Sequence, residues 1–435
     1  MTVFRCDIAL LSIVVAAQLA SGQAPKLEPV SKRLKRELFH PNKAATLVGI
    51  RFSPDGKELV AGDYPNGTVQ LWDVGTGRRL TQIETGRDHG RWDYFFVSPD
   101  WKTIFANDEQ LNARFSDWHN DVRAWDLQSG RLRGSYKHEP PGRFIRSMEL
   151  SPDGSTFVTL ELSSVGMETK WHASLWSVES KRFRSLPGLF RLEKTDGAVV
   201  YSPDGKLLAA QIETDDRKSV AVHVFDVATA RLKTSIPTNG KSSPQIDCLR
   251  FSPDSKVLAG WVFEDAKPLR NSLKLWDAST GRELDSLSSD KTDFFWMPAF
   301  HTTYSPYARM LAISTMNEKE LGKLFLFNTS DNKLVKAFVL DAKIGLSAPV
   351  FSPDGKWIAV GAQKVSATPL RTVQSVEELE QPRVHLVDVA TGAIRETLVA
   401  PPSYAGSICF SPDGRMLAVG SQGRVLLFDL TTPPK

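Results

Sequence analysis

The stretch from Phe52 to Gly56 reads Phe-Ser-Pro-Asp-Gly, and it decides the fold because it returns throughout the chain. Four further complete copies begin with an apolar or aromatic residue, at Leu150, Tyr201, Phe351 and Phe410. Three degenerate copies begin at Val97, Phe251 and Tyr304. The eight copies are spaced by 45 to 59 residues. A period of this length indicates an array of repeated structural units.

A second signal follows each copy of the first. It reads Leu71-Trp72-Asp73 in the first unit, where a Thr-Gly turn comes shortly after it. Its counterparts end at Asp126, Ser177, Asp226, Asp277, Asn328, Asp388 and Asp429. Because all eight units carry both signals in the same order, chance is excluded as their origin.

Each unit is predicted to form four short β-strands, named a to d. A run such as 48–52 ends at Ser-Pro-Asp-Gly, where Pro fixes φ, Asp can bond its own backbone and Gly accepts positive φ. A second apolar run follows, as at 357–360, and the Trp-Asp strand comes third. The Thr-Gly turn leads into a polar-apolar fourth strand, as at 79–83. Stacking such sheets in a ring buries both faces of each one and leaves only short edges.

These signals resemble those of WD40-type β-propellers, in a divergent, bacterial-style form, over about residues 36–431. The resemblance implies a propeller fold and a role in binding other proteins. WD40 repeats use an Asp–His–Ser/Thr–Trp hydrogen-bond network, whose His lies in a Gly-His dipeptide before strand a. No such dipeptide occurs here, and Trp occupies only four of the eight Trp-Asp positions. The blades are therefore expected to be held by apolar packing.

The chain ends predict eight blades closed by the N-terminus. The last unit has strands a, b and c but no strand d, whereas Glu37-Leu38-Phe39 precedes the first strand a and resembles a strand d. An all-β, eight-bladed ring over 36–431 follows, with a lead at 23–35 and a tail at 432–435. Seven blades is the alternative, if the weak unit at Tyr304 merges with a neighbour.

Residues 1–22 are predicted to be a secretory signal. Arg5 supplies the positive region, Ile8 to Ala20 is an apolar run, and Ala20-Ser21-Gly22 offers small residues for cleavage before Gln23. The run is shorter than the roughly 20 residues that span a bilayer. The mature chain would be soluble, without membrane insertion, and periplasmic or extracellular. An uncleaved anchor and a buried terminal helix are the alternatives.

The composition narrows the function classes. With 41% hydrophobic and 24% charged residues among 435, the chain is neither disordered nor fibrous. The net charge of +4 gives no support to nucleic-acid binding, which needs a concentrated basic face. Three Cys are too few for a disulfide scaffold. Cys248 and Cys409 are expected to be free and buried.

Variation in length between units lies almost wholly on one face of the ring. The a–b and c–d turns share the other face and are short and uniform. The long b–c segments are predicted at 106–121, 161–172, 264–271, 317–322 and 361–382. The d–a loops are predicted at 86–92, 187–195, 288–298 and 400–406. Long loops on a rigid scaffold are where binding usually occurs.

Aromatic residues and one His in these loops are the candidate binding residues: Trp92, Trp118, His119, Phe295, Trp296 and Tyr404. Trp and Tyr are typical anchors of interfaces, although each could also fold over its own blade. His89, His119 and His172 lie near acids, but nothing in their spacing brings metal ligands together. No metal, cofactor or catalytic residue is predicted, because the chain lacks a nucleophile elbow, a phosphate-binding Gly-rich loop and paired Cys.

The leading hypothesis is a non-catalytic scaffold that binds a protein or peptide, as a monomer or as a component of an envelope complex. The alternative is an enzyme, either a hydrolase or lyase using acids and His of the loop face, or a quinone-dependent dehydrogenase. Exported eight-bladed propellers include such dehydrogenases, and Asp388-Val389-Ala390-Thr391-Gly392 is similar to their turns. Their repeats carry a Trp just after this turn, which is missing at 78–81, 282–285 and 393–396.

Overall fold

Eight antiparallel sheets make up the computed structural model of this chain. The structure describes residues 30–43, 45–64, 66–85, 95–110, 119–137, 143–165, 168–190, 199–213, 220–237, 245–264, 270–288, 301–306, 310–315, 322–328, 333–340, 344–364, 383–400 and 407–431. The sequence repeat maps onto these sheets one unit to one sheet, and each sheet is one blade.

The strands of the first four blades follow one another in chain order after β1 (Leu34–Phe39). Blade 1 is β2 (Thr46–Phe52), β3 (Glu58–Tyr64), β4 (Thr68–Asp73) and β5 (Arg79–Glu84); blade 2 is β6 (Phe95–Val97), β7 (Thr103–Gln110), β8 (His119–Asp126) and β9 (Leu132–Tyr136). Blade 3 is β10 (Arg143–Leu150), β11 (Thr156–Val165), β12 (Glu168–Ser177) and β13 (Phe183–Ser185); blade 4 is β14 (Leu189–Phe190), β15 (Val199–Tyr201), β16 (Leu207–Glu213), β17 (Val220–Asp226) and β18 (Arg231–Pro237).

The remaining strands form blades 5 to 8. Blade 5 is β19 (Gln245–Phe251), β20 (Val257–Glu264), β21 (Arg270–Asp277) and β22 (Glu283–Ser288); blade 6 is β23 (His301–Tyr304), β24 (Met310–Thr315), β25 (Lys323–Asn328) and β26 (Lys333–Val339). Blade 7 is β27 (Ile344–Leu346), β28 (Val350–Phe351), β29 (Trp357–Lys364), β30 (Arg383–Asp388) and β31 (Ile394–Val399); blade 8 begins with β32 (Ile408–Phe410), β33 (Met416–Ser421) and β34 (Arg424–Asp429). Strand a is divided into two pieces in blades 4 and 7.

The N-terminal strand completes blade 8. β1 pairs antiparallel with β34, from Leu34 opposite Phe428 to Phe39 opposite Arg424. Leu38 of this strand is fully buried and joins a cluster that spans blades 8 and 1. The predicted eight-bladed ring and its N-terminal closure are confirmed. The seven-blade alternative is wrong, because the weak unit at Tyr304 has its own sheet, β23 to β26.

The first strands of the blades surround the axis of the ring. From blade 3 onward, each first strand contacts the next, through β10, β15, β19, β23, β28 and β32 to β2. Between neighbouring blades the sheets bury apolar clusters, and the one between blades 2 and 3 is aromatic. There the Phe157 and Trp176 rings stack 5.8 Å apart, and Tyr136 meets both edge-on. Such packing stabilises each blade through its neighbours.

A second set of contacts joins the outer strands on the turn face. In five blades a side chain of strand d donates a hydrogen bond to carbonyl groups in the c–d turn of the next blade. The donors are Arg36, Thr81, Arg184, Thr234 and Lys336. Arg36, for example, lies 2.6 Å from the oxygen of Thr76 and 2.7 Å from that of Gly75. These contacts hold the turns of adjacent blades in register.

Candidate functional site

The candidate binding residues of the loop face lie mostly outside the described part of the chain. This is the case for Trp92, Trp118, Phe295, Trp296 and Tyr404. His119 is the first residue of β8, where it stands opposite Gln110 of β7, and its side chain is not described. The binding site on this face therefore stays a prediction.

Two of the predicted b–c loops are largely strand. In blade 3, β11 and β12 each have ten residues and pair from Thr156 opposite Ser177 to Val165 opposite Glu168. In blade 2, Asn107, Asp108 and Glu109 are part of β7, although they were expected in a loop. Neither segment shows strict alternation of polar and apolar residues, since 107–110 reads Asn-Asp-Glu-Gln, and this is why the sequence favoured a loop. Long paired strands account for much of the extra length.

Other parts of the predicted loops are corrected in the same way. His172, expected in a loop, lies in β12 with its Nε2 2.8 Å from the hydroxyl of Ser163. Residues 361–364 of the predicted 361–382 insertion belong to β29, and residues 365–382 lie outside the described part. His89 lies there too. Among the described residues, no group of three or more His, Cys, Asp or Glu side chains could hold a metal ion.

Blade 3 contains a buried polar network that the sequence analysis did not predict. Glu161 is fully buried and accepts hydrogen bonds from the hydroxyls of Thr159 and Ser174, the latter at 3.1 Å. The indole of Trp176 donates to Thr159 at 2.9 Å. Trp176 is the Trp of the repeat signal, so the Trp–Thr part of a WD40-type network is present, with Glu161 as its acceptor. The expectation that apolar packing alone holds the blades is wrong here, because a carboxylate on the same strand supplies the acceptor.

Blade 1 contains a second buried pair. His40, which follows β1, has its Nε2 3.7 Å from Asp63 and 3.3 Å from the hydroxyl of Thr68. Burial raises the pKa of Asp63, and the hydrogen bonds from Asn66 and the nearby His40 oppose that shift. His40 is preceded by Phe39, so a search for Gly-His dipeptides overlooks it. The pair lies where the chain passes from blade 8 to blade 1 and fixes that junction.

The turn face has the same hydrogen bonds in blade after blade. In blade 1, Ser53 donates to Asp55 at 2.7 Å and accepts from the backbone of Glu58 at 2.8 Å. At the c–d turn, Asp73 accepts from the backbone and hydroxyl of Thr76 at 2.6 and 2.7 Å. Ser therefore belongs to the repeat because it links the Asp to the start of strand b. This role is visible in the sequence only once the turn geometry is known.

The fourth position of the a–b turn needs a backbone with positive φ. Glycine fills it in most units, as at Gly154, where an added Cβ would lie 2.7 Å from Pro99 of the preceding blade. Trp101 and Ser255 occupy the same position with φ of 58° and 60°. A left-handed conformation costs a non-glycine residue about 1–2 kcal/mol. Such a residue persists where its side chain compensates or where it has a function.

The side chain of Trp101 forms one wall of a groove between blades 1 and 2. The groove has a volume of about 430 Å³, and its charged lining consists of Asp55, Lys57, Glu58, Asp73 and Asp100. The indole of Trp101 donates to Glu58 at 2.7 Å. Gln128 donates to the same carboxylate at 2.9 Å. The replacement of Gly by Trp101 in this turn is visible in the sequence, but only the structure shows that Trp101 lines a groove.

Hydrogen bonds keep three of the groove carboxyls ionised. The Ser53 hydroxyl holds the pKa of Asp55 below its usual value, and the Ser98 hydroxyl does the same for Asp100. The Thr76 hydroxyl and backbone lower the pKa of Asp73. A carboxylate that accepts hydrogen bonds is stabilised in its charged form. The groove is therefore anionic across the physiological pH range.

Cys409 is the free cysteine of the described part, and its side chain is half-buried against the cluster of blades 8 and 1. Burial raises the pKa of its thiol. The side chain of Cys248 lies outside the described part. Among the described residues, no helix is long and apolar enough to cross a membrane.

Comparison with known proteins agrees with this architecture. Residues 34–73 and 395–429 match the family model "WD domain, G-beta repeat". Each matched segment runs from a strand d through strands a, b and c of the next blade, which is the order that the closure of the ring uses. The chain is thus an eight-bladed propeller, and two of its segments match the model of the WD40 repeat.

Relatives of known structure share the fold at low sequence identity. The C-terminal WD40 domain of Sif2 aligns with a TM-score of 0.60 at 15% identity, over 93% of this chain and 99% of that one. The Dos1 propeller aligns with a TM-score of 0.59 at 13% identity, over 90% and 93% of the two chains. In sequence, the Bos taurus protein NEDD1 is 29% identical over 131 residues, which are 30% of this chain. The match spans 18% of the length of NEDD1.

Proposed function

We propose that this chain is an exported, non-catalytic scaffold that binds a protein or peptide through its loop face. The WD40 propeller fold is commonly a protein-interaction scaffold, so the fold supports the proposed role in binding a protein or peptide. The observation that carries it is the contrast between the two faces. The turns repeat the same hydrogen bonds, whereas the b–c hairpins range from the six-residue strands of blade 8 to the ten-residue strands of blade 3.

The two faces of the ring differ in how far their connecting segments can change in length, and this difference favours the loop face as the binding surface. Side chains of strand d donate hydrogen bonds to carbonyl groups in the c–d turn of the next blade, so a change of turn length would break contacts between blades. The b–c hairpins project away from these hydrogen bonds, and they can lengthen without disturbing the ring. A rigid ring with variable segments on one face has the organisation of a binding surface.

The test shortens the loop face and leaves the ring unchanged. Replacing 163–170 with Asn-Gly would join Leu162 to Trp171 through a two-residue hairpin turn and keep Glu161 in place. Two further variants shorten 365–382 and 289–298. The control carries Lys206→Ser and Lys356→Ser, at the equivalent turn position of blades 4 and 7. Each variant is cross-linked in the native cell envelope, and the captured proteins are identified.

The proposal expects the loop-face variants to lose a partner that the turn-face control retains. If all variants capture the same proteins as the unaltered chain, the loop face is not the binding surface. The melting transition of each variant is measured beside the capture, so that a partner lost through unfolding is recognised.

Export is proposed from residues 1–22. The mass of the protein recovered from cells tests it, because cleavage after Gly22 leaves a chain that begins at Gln23. Recovery of the chain with Met1 in the cytosolic fraction would overturn export. Recovery of the chain with Met1 in the membrane fraction would replace the cleaved signal by a retained anchor.

A further inference from the structure

We propose that the groove between blades 1 and 2 on the turn face binds an arginine side chain that a partner polypeptide presents. This groove lies on the opposite face from the proposed loop-face site, and the inference does not depend on that site. It is carried by a fixed aromatic wall and by carboxylates that lack the cation which three other blades supply.

Trp101 is fixed in a position that exposes part of its ring to the groove. Its indole N–H donates to Glu58, and its side chain packs against the apolar cluster of blades 1 and 2. The residue is half-buried. The hydrogen bond and the packing leave the ring little freedom to rotate, so it needs no reordering when a ligand binds. A cation over the face of a Trp ring is attracted by the ring quadrupole, and Trp is the best aromatic residue for this contact.

The groove lacks a cation that three other blades supply at the equivalent position. Asp55 lies 3.6 Å from Lys57, but among the described residues neither Glu58 nor Asp73 forms an ion pair. The equivalent c–d carboxylates in three other blades are each paired with a cation from strand d: Asp126 with Arg133, Asp388 with Arg395 and Asp429 with Lys35.

The missing cation has a simple cause in the sequence. Arg133 and Arg395 stand seven residues after their aspartates, and the residue seven positions after Asp73 is Leu80. Leu80 is partly buried against the same cluster as Trp101, and a leucine cannot neutralise Asp73. Arg78 contributes to the lowered pKa of Asp73, but no ion pair joins the two. The groove thus has room and charge for a cation from outside the chain.

Arginine fits this groove better than lysine. The guanidinium is planar, so it can lie against the Trp101 ring while its edge donates to carboxylates in two directions. Glu58 and Asp73 are the carboxylates of the groove without an ion pair, and each also accepts hydrogen bonds within the chain, Glu58 from Trp101 and Asp73 from Thr76. Asp55 and Asp100 are each accompanied by a lysine, so they add to the field of the groove more than to its direct contacts.

The experiment uses the full chain with its tryptophans replaced by 5-fluorotryptophan. The Trp101→Phe variant assigns the ¹⁹F resonance of Trp101. The probe is the peptide acetyl-Gly-Ser-Arg-Gly-Ser-amide, and the matched peptide carries citrulline in place of arginine. We expect the arginine peptide to shift the Trp101 resonance in a saturable manner and the citrulline peptide to leave it unchanged. Asp73→Asn should weaken binding about threefold to tenfold, as expected for loss of a partly exposed charged contact.

The matched control is Asp277→Asn in blade 5. Asp277 occupies the same turn position as Asp73, and the residue seven positions later is also a leucine, Leu284. It has no Trp101 beside it, so its substitution should leave the affinity unchanged. Equal weakening by both variants, or a resonance that does not respond to the arginine peptide, would overturn the proposal. The 163–170 variant should bind the peptide normally, which separates this result from the fate of the loop-face proposal.

Discussion

Blades 3 and 8 have the same four-stranded sheet but are held together differently. Blade 3 is one continuous piece of chain with Glu161 and its hydroxyl partners in its interior. Blade 8 takes its outer strand from the other end of the chain, and its interior is apolar. The comparison teaches that the pairing of the strands and the polarity of the buried side chains are determined separately. The repeated turn signals determine the strand pairing, whereas the buried side chains between blades can be polar in one place and apolar in another.

The first prediction breaks blade 8. Deletion of residues 30–45 removes β1, the buried side chain of Leu38 and the Arg33–Glu396 ion pair with blade 7. The ring would then be open at blade 8. We expect the loss of most of the free energy of unfolding, which is about 5–15 kcal/mol for a globular protein. Urea denaturation followed by circular dichroism measures it.

Two further experiments show whether the effect of the 30–45 deletion is specific to β1. Deletion of residues 432–435 is the control and should leave the transition in place. A synthetic peptide of residues 30–45 added to the shortened chain should restore part of the lost stability, because β1 is held mainly by non-covalent pairing. An unchanged melting transition after the 30–45 deletion would refute closure by the N-terminal strand.

The second prediction compares a buried glutamate in blade 3 with a half-buried one in blade 8. Glu161→Ala removes the acceptor of the Ser174 hydroxyl and leaves the Thr159 hydroxyl only the Ser174 carbonyl at 3.4 Å, and it should cost about 3 kcal/mol. Glu37 pairs with Arg424 at 3.3 Å, and Glu37→Ala should cost less than about 1 kcal/mol. Urea midpoints give both values, and Glu161→Gln should recover part of the loss. Equal losses for the two alanine variants would contradict the difference drawn between the blades.

The same two blades show how far the sequence could go. The spacing of the turn signals and the missing last strand d were enough to predict eight blades and their closure, because turns and strand count are local properties. The acceptor role of Glu161 could not be predicted, because it depends on which face of β11 meets blade 2. His40 was overlooked because its neighbour is Phe39, although its position before strand a was visible.

Part of the candidate binding surfaces could likewise be predicted from the sequence, and part needed the structure. The sequence predicts that the variable segments lie on one face, but it treated strand as loop at 161–172, where polar and apolar residues do not alternate strictly. The groove at Trp101 needed the structure, because its walls come from turns more than forty residues apart. The departure of Trp101 from the Ser-Pro-Asp-Gly pattern was visible, and a strained position of this kind is a reason to look for function.

The third prediction extends the comparison to single hydroxyl groups. The hydroxyl of Tyr201 in blade 4 lies 3.2 Å from that of Thr156 in blade 3. Tyr304 in blade 6 is the equivalent residue, and its buried hydroxyl has no partner among the described residues. Burial raises the pKa of both phenols, so both are neutral. The position equivalent to Thr156 in blade 5 is Val257, which has no polar atom to offer.

Tyr201→Phe should therefore cost about 1 kcal/mol, whereas Tyr304→Phe should be neutral or slightly stabilising. Thermal denaturation of the two variants measures the difference. Val257→Thr would supply the absent partner, and in that background Tyr304→Phe should become destabilising. A loss at Tyr304→Phe equal to that at Tyr201→Phe in the unaltered chain would show that the phenol already has a partner.

The smallest expected effect concerns acid sensitivity at the ends of strand c. Thr431 donates through its hydroxyl and backbone to Asp429 in blade 8, and these bonds, aided by Lys35, hold the pKa of Asp429 below its usual value. A depressed folded pKa contributes stability that is present above the unfolded value of about 3.9 and is lost as the pH falls through the folded value. Blade 3 has Ser177 at this position, which accepts from Ser180 at 3.2 Å and does not titrate.

Asp429→Asn should therefore lower stability by a few tenths of a kcal/mol at pH 7, as expected for an exposed charged contact, and by less at pH 2.5. Ser177→Asp should do the opposite in blade 3, adding stability at pH 7 that disappears in acid. Urea midpoints of both variants and the unaltered chain at the two pH values provide the measurement. A deficit in Asp429→Asn that is the same at both pH values would show that its cause is the shape of the turn and not the charge of the carboxylate. In that case Ser177 and Asp429 would be equivalent caps, and the two turns would not differ in their response to acid.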